Sequence, residues 1–355
     1  METRTSGRLE RSKTCDDVDV EPGGTRFRSP PPPSGDGAGG TPPDPSGGSF
    51  EADPAFRPAP ARLVYCEDFA DPFVLSADTL FGARLFAYAT NTAHAFVPVL
   101  SSESVVRSED IAAALPELPA WAEPGAVWAP AVLARSDDDL VMYYTTTDRA
   151  SGRQCISSAT SADPVGPFVD RSSAPMVCPV PLGGAIDPSP FVATDGTVYL
   201  LWKNDGNCCG VPTRLWSQRL AEDRLAVEGQ PSELLGADQP WEGQLVEGPS
   251  LIEHDGDHYL FYSANAWDSD RYAIGYATCE GPVGPCTKPL SEPWLASSEQ
   301  ALGPGGQEFF RSGDDELRMV FHAWAFGKVG YREGGFRSLF TAGIEFADRR
   351  PVVVE

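Results

Sequence analysis

From Leu63 onward the chain is written in short apolar runs cut by Gly, Pro and Asp, with almost no helical period. Runs such as Thr197–Trp202 and His258–Ser263 are rich in β-branched and aromatic residues, the composition of buried strands. Asp195-Gly196 and Asp255-Gly256 each sit between two such runs, the strongest short-range signal for a hairpin. One stretch departs from this texture: Glu109–Leu115 predicts one or two helical turns.

The runs repeat. Five segments open on a Pro beside a polar or aromatic residue, continue apolar, turn, and return through an aromatic-rich strand. They are Asp71–Leu75 with Leu85–Tyr88, Trp128–Pro130 with Val141–Tyr144, Asp187–Phe191 with Tyr199–Trp202, Glu247–Leu251 with Tyr259–Tyr262, and Gly303–Gly306 with Met319–His322. The prolines at 72, 130, 188, 249 and 304 are 58, 58, 61 and 55 residues apart. A near-constant period built from hairpins predicts radial β units, and four strands per unit is a propeller blade. The expected fold is therefore all-β, a five-bladed β-propeller over residues 58–355.

The first 57 residues change the picture in the other direction. Between Pro22 and Gly48, 16 of 27 residues are Pro or Gly. Such a segment has too little to bury to offset its ordering entropy, so residues 1–57 are expected to be a disordered tether.

Charge narrows the partners. With 27 basic and 51 acidic residues the chain carries −24, which is repelled by phosphate backbones and anionic bilayers. Neither nucleic acid nor membrane is expected; a neutral sugar polymer suits this charge better. No apolar run approaches the length of a spanning helix, and no apolar stretch follows Arg4, Arg8, Arg11 and Lys13 as a secretory signal requires. The eight cysteines point the other way. Cys155 and Cys178 flank a turn-rich segment and Cys279 and Cys286 bracket a short one, so two disulfides would mark an oxidising compartment, with buried free thiols the alternative. Cys208 and Cys209 lack a second Cys pair or nearby His and are expected to be plain loop residues.

In a propeller the innermost strands converge on one channel, so Asp71, Trp128, Asp187, Glu247 and Gly303 become a ring. Taken singly, an Asp before Pro is usually a turn residue and a Trp in a strand is usually core. Three acids at matching places in a repeat are another matter. Carboxylates and an indole around one depression are suited to sugar cleavage: an acid for the leaving oxygen, a base for water, and a flat ring for the sugar face.

These motifs resemble glycoside hydrolase family 43. The marks are Ala70–Leu75, Val127–Pro130, Ile186–Phe191 followed by Asp195-Gly196 and Tyr199-Leu200, and Val246–Pro249 followed by Tyr259–Ser263. The resemblance covers everything after the tether. It implies an inverting hydrolase of arabinan- or xylan-type plant polysaccharides or oligosaccharides. No cofactor is expected, a monomer is expected, and the cysteine pairs place the protein outside the cell if they are bonded. By position the resemblance implies Asp71 as general base, Glu247 as general acid, and Asp187 as the carboxylate that raises and orients the acid. It also implies substrate contacts from Arg337, with Trp128 and Trp241 as stacking residues. Two departures stand out. Ala131 replaces an Asp common after Trp-Ala-Pro, and Gly306 replaces a His that serves a calcium or water cluster in many members. No metal is therefore inferred, and His322 is read as a core histidine, the alternative being that it substitutes for the missing His. The other readings are a non-catalytic glycan-binding propeller and a retaining fructosyl hydrolase; Asn-Asp-Pro-Asn-Gly and Arg-Asp-Pro, which would mark the latter, are missing.

Overall fold

The computed structural model describes residues 61–79, 82–101, 112–312 and 315–354. The expected tether lies outside these residues. A single strand, β1 (Arg62–Tyr65), comes first. Blade one holds β2 (Phe73–Thr79), β3 (Gly82–Tyr88), β4 (Pro98–Ser101) and β5 (Ala112–Ala113). Blade two holds β6 (Ala122–Ser136), β7 (Asp139–Asp148) and β8 (Arg153–Ser161). Blade three holds β9 (Ala185–Val192), β10 (Val198–Asn204), β11 (Arg214–Leu220) and β12 (Val227–Gly236). Blade four holds β13 (Val246–His254), β14 (Asp257–Ala264), β15 (Ala273–Cys279) and β16 (Cys286–Thr287). Blade five holds β17 (Leu302–Arg311), β18 (Leu317–Trp324), β19 (Arg337–Ala347) and β20 (Arg350–Val354). All pairings between these strands are antiparallel.

The five-bladed propeller is thus as the repeat predicts. Its innermost strands touch in ring order, β2 to β6 to β9 to β13 to β17 and back to β2. The ring is closed by β1, which pairs with β19 so that Arg62 lies opposite Thr341 and Leu63 opposite Phe340. Sequence-distant ends therefore share one blade. The helical turn expected at Glu109–Leu115 is not formed where it is described: Ala112–Ala113 is a short strand on β4. An unpaired sheet edge was available there, and a ladder overrode weak local propensity.

Twisted sheets standing side by side bury both faces, and each blade-to-blade interface has its own apolar cluster. Leu75, Tyr88, Val132 and Met142 fill the gap between blades one and two. Val141, Leu200 and Trp202 fill the next, then Leu201, Leu215 and Leu260, then Phe261, Met319 and Phe340. Val74, Leu85 and Val320 complete the circle between blades five and one. Burial of each such side chain stabilises by about 1.5–3 kcal/mol, and this stiff frame holds the channel ends in place.

Candidate active site

The repeat prolines mark a backbone device. The residue before each is left-handed: Asp71 at φ 50°, Ala129 at 44°, Asp187 at 56°, Gly248 at 56° and Gly303 at 57°. In blades two to five the strand register breaks at this point, and in blade one β2 begins just beyond it. A bulge interrupts the alternation of side chains and re-aims those around it. The ring is therefore not one strictly equivalent position, as the sequence suggested. Asp71, Asp187 and Gly303 sit at the left-handed residue, whereas Trp128 and Glu247 precede it. Even so, Asp71, Trp128, Asp187, Glu247 and Arg337 all line one funnel of about 1030 Å³.

Asp71 is held from several sides. Thr90 Oγ1 donates to its Oδ2 at 2.6 Å, and Arg337 Nη1 lies 3.5 Å from its Oδ1. Its amide donates to His322 Nδ1 at 3.0 Å, which requires that nitrogen to be unprotonated. Burial agrees, pushing His322 down to about 3, so the ring is neutral. Burial alone would push the Asp71 carboxyl up, but Arg337, with the contacts of His322 and Thr90, brings it below its ordinary value. Because His322 is neutral, Arg337 is the cation responsible. Arg337 is itself fixed: its Nε donates to Tyr331 Oη at 3.0 Å, its guanidinium lies 4.7 Å over the Trp267 ring, and its backbone amide donates to Asp68 at 3.2 Å.

The second group is a pair of carboxyls. Gly248 N donates to Asp187 Oδ2 at 2.9 Å, placing Asp187 against the residue next to Glu247. Lys203 Nζ donates to Glu247 Oε2 at 2.8 Å, and Tyr272 Oη donates to Oε1 at 2.7 Å. The lysine side chain is 1% exposed and that of Glu247 11%. Burial first, and then the negative charge of Glu247, push Asp187 up to about 7, against the pull of Lys203. The site thus holds one carboxyl below its ordinary value and another raised to neutrality, the split that acid–base chemistry needs. A fourth carboxyl, Glu308, lines the same funnel; it accepts from Ser250 Oγ at 2.6 Å and burial pushes it up to about 7.

Trp241 is not brought to the funnel. Its ring stacks on Tyr262 at 6.0 Å and packs on the core between blades three and four. The funnel aromatics are Trp128, Trp267, Tyr272 and Tyr331. Of these, only Trp128 stood out in the sequence; Trp267, Tyr272 and Tyr331 sit on connections outside the repeat, as does Thr90. Lys203 lies on a repeat strand, but a lone lysine in an apolar run gives no hint of a partner 44 residues away.

Gly306 and His322 explain each other. A Cβ at 306 would stand 2.6 Å from His322 Nδ1 and 2.9 Å from Asp71 Oδ1, so the bare glycine makes room for the imidazole. With Nδ1 taken by the Asp71 amide, His322 offers no acceptor to a metal, and its buried Nε2 has no hydrogen-bond partner among the described residues. Nor do the described residues cluster three metal-ligating side chains here; the one such group, Asp148 with Cys155 and Cys178, has its sulfurs bonded to each other. The donor set does not fit a channel calcium. Ala131 is buried and faces Tyr143 across the ladder.

Cys155–Cys178 and Cys279–Cys286 are both disulfides. Cys208 and Cys209 are not plain loop residues, for they too are bonded to each other, and Cys208 lines the funnel.

The sequence profile of Glycosyl hydrolases family 43 matches residues 63–348. The chain belongs to glycoside hydrolase family 43. A thermostable family 43 glycoside hydrolase of known structure superposes with a TM-score of 0.68 at 28% identity, covering 81% of this chain and 92% of that one. The α-L-arabinofuranosidase of Lactobacillus brevis, at TM-score 0.66, 19% identity and coverages of 81% and 94%, shares the fold. Among curated proteins, the arabinoxylan arabinofuranohydrolase of Bacillus subtilis is 29% identical over 219 residues, 55% of this chain and 38% of that one. The extracellular exo-α-(1→5)-L-arabinofuranosidase of Streptomyces avermitilis is 26% identical over 211 residues, with coverages of 55% and 42%. This family 43 chain spans about half the length of the curated relatives it matches. No described helix is long and apolar enough to cross a membrane.

Proposed function

We propose that the chain hydrolyses O-glycosidic bonds of arabinan- or xylan-type polysaccharides or oligosaccharides with inversion at the anomeric carbon. The observation that carries this reading is the meeting of Asp71, Asp187 and Glu247, from three blades, in one funnel. Asp71, kept ionised beside Arg337, takes a proton from a water as its oxygen attacks the anomeric carbon. The bond to the leaving oxygen breaks as Glu247 gives that oxygen the one proton the Asp187–Glu247 pair holds, and Lys203 then faces two ionised carboxylates. Asp187 keeps a proton on the pair near neutral pH, because two buried neighbouring carboxyls cannot both ionise cheaply. Trp128 and Trp267 offer the sugar flat apolar faces, and Arg337 donates to its hydroxyls.

We place the protein outside the cell. Three disulfides among the described residues support this, as does the extracellular arabinofuranosidase of Streptomyces avermitilis among the relatives.

Glu247→Gln tests the assignment. Cleavage of arabinan or xylan should fall about 10²–10⁴-fold, the usual worth of general acid assistance, whereas dinitrophenyl glycosides should suffer much less. Wild-type protein that binds arabinan yet cleaves none of these substrates would refute catalysis and leave a glycan-binding propeller.

A further inference from the structure

One wall of the funnel is unlike the rest. It is built from the loop after β10, Asp205 to Cys209, and from Arg153 at the start of β8. Adjacent cysteines joined by a disulfide form a small closed ring, which locks the peptide between them and leaves a polarisable apolar surface. Here Cys208 is exposed and on the lining of the funnel. Arg153 Nη1 donates to both sulfurs, at 3.4 Å to Cys208 Sγ and closer to Cys209 Sγ.

That arginine has donors to spare. Among the described residues no carboxylate lies within ion-pair distance of it, and its remaining N–H groups make no hydrogen bond. Its charge bears on the buried Asp205 of the same wall, drawing that carboxyl down against burial, and still leaves its N–H groups open to a neutral ligand. The loop opposite is not free to drift. Asn204 Nδ2 donates to Leu182 O and Pro212 O, both at 3.1 Å, and its Oδ1 accepts from Arg214 N at 2.7 Å. A stiff apolar ring beside unfilled donors is the composition of a sugar subsite, with one surface for C–H groups and the other for hydroxyl and ring oxygens.

We propose that Arg153 and the Cys208–Cys209 disulfide form a distal subsite, holding a neutral pentose unit of the substrate other than the one being cleaved. Neutral units are favoured over uronates because Asp71, Asp187, Asp205 and Glu247 line the same funnel and would repel a carboxylate. The subsite rests on the hydrolase reading above. Neither Arg153 nor the disulfide hydrogen-bonds to the three working carboxyls, so the subsite governs substrate binding and leaves the proton transfers to others.

The test compares wild type with Arg153→Ala and, separately, with the double variant C208S/C209S, each checked by melting temperature. Substrates are xylotriose and arabinotriose against the corresponding nitrophenyl monosaccharide glycosides. The ratio of kcat/KM on trisaccharide to kcat/KM on nitrophenyl glycoside should fall about tenfold in each variant, the effect of losing one or two hydrogen bonds or their support. A ratio unchanged in both folded variants overturns the subsite. If wild type cleaves none of these substrates, calorimetric affinity for the two trisaccharides decides instead. Weaker binding in Arg153→Ala supports the subsite, and equal affinity or no binding to wild type overturns it, independently of the fate of the hydrolase reading.

Discussion

Lys203→Met is the most informative single change at the carboxyl pair. The lysine sits 2.8 Å from Glu247 Oε2, almost without solvent, and pulls against the forces that raise Asp187 to about 7. Unit charges about 4 Å apart interact by about 4 kcal/mol at an effective dielectric constant near 20, or about 3 pH units. Relaxation and water entry take back part of this, so removing the cation should raise the apparent pKa of the pair by about 1–3 units. The pair would then keep its proton to higher pH. The alkaline limb of kcat/KM on arabinan or xylan should therefore move from near 7 to about 8–10, whatever happens to the absolute rate. Stability carries the same signature. An acid whose folded pKa lies above its unfolded value stabilises the fold below the unfolded pKa and loses that contribution as pH rises through the folded one. The variant should thus lose more melting temperature, relative to wild type, at pH 9 than at pH 5. The assay is a pH–rate profile with melting curves at both ends. An alkaline limb that stays put in a folded variant would refute the argument that Lys203 sets where this proton resides.

Two further changes probe the other side of the site. Asp71→Asn should damage cleavage of polysaccharide and of dinitrophenyl glycosides alike, by about 10²–10⁴-fold, because water must be activated whatever departs; a much milder loss on the activated substrate would remove Asp71 from the role of base. Gly306→Ala should destabilise by about 1–2 kcal/mol through its left-handed backbone at φ 59°, and more through the 2.6 Å and 2.9 Å approaches to His322 and Asp71. A melting temperature and kcat equal to wild type would show that His322 and Asp71 are not held as tightly as their contacts indicate.

Much of this protein was legible before any coordinates. The proline period and the hairpin turns announced five blades because strand and turn preferences are local: each blade repeats the same chemistry within about sixty residues. The three carboxyls were legible for the same reason, being attached to the repeat. The Cys155–Cys178 and Cys279–Cys286 bridges, each close in sequence, were also within reach. What the sequence could not hold is whatever depends on two distant segments meeting. Lys203 reaches Glu247 across 44 residues, Tyr272 reaches it across 25, and His322 meets Asp71 across 251. Only closure of the ring, sealed by β1 on β19, brings them together. Trp241 illustrates the converse, since an indole near the motif looked like a sugar platform until packing against Tyr262 turned it into the core. Ala112–Ala113 followed a sheet edge rather than its own helical preference, and Gly306 became intelligible only beside the imidazole it accommodates. Composition and periodicity determined which backbone forms and where its acids lie along it. Burial and neighbouring charge, which set the direction of each carboxyl's pKa, exist only once the blades have closed around the funnel.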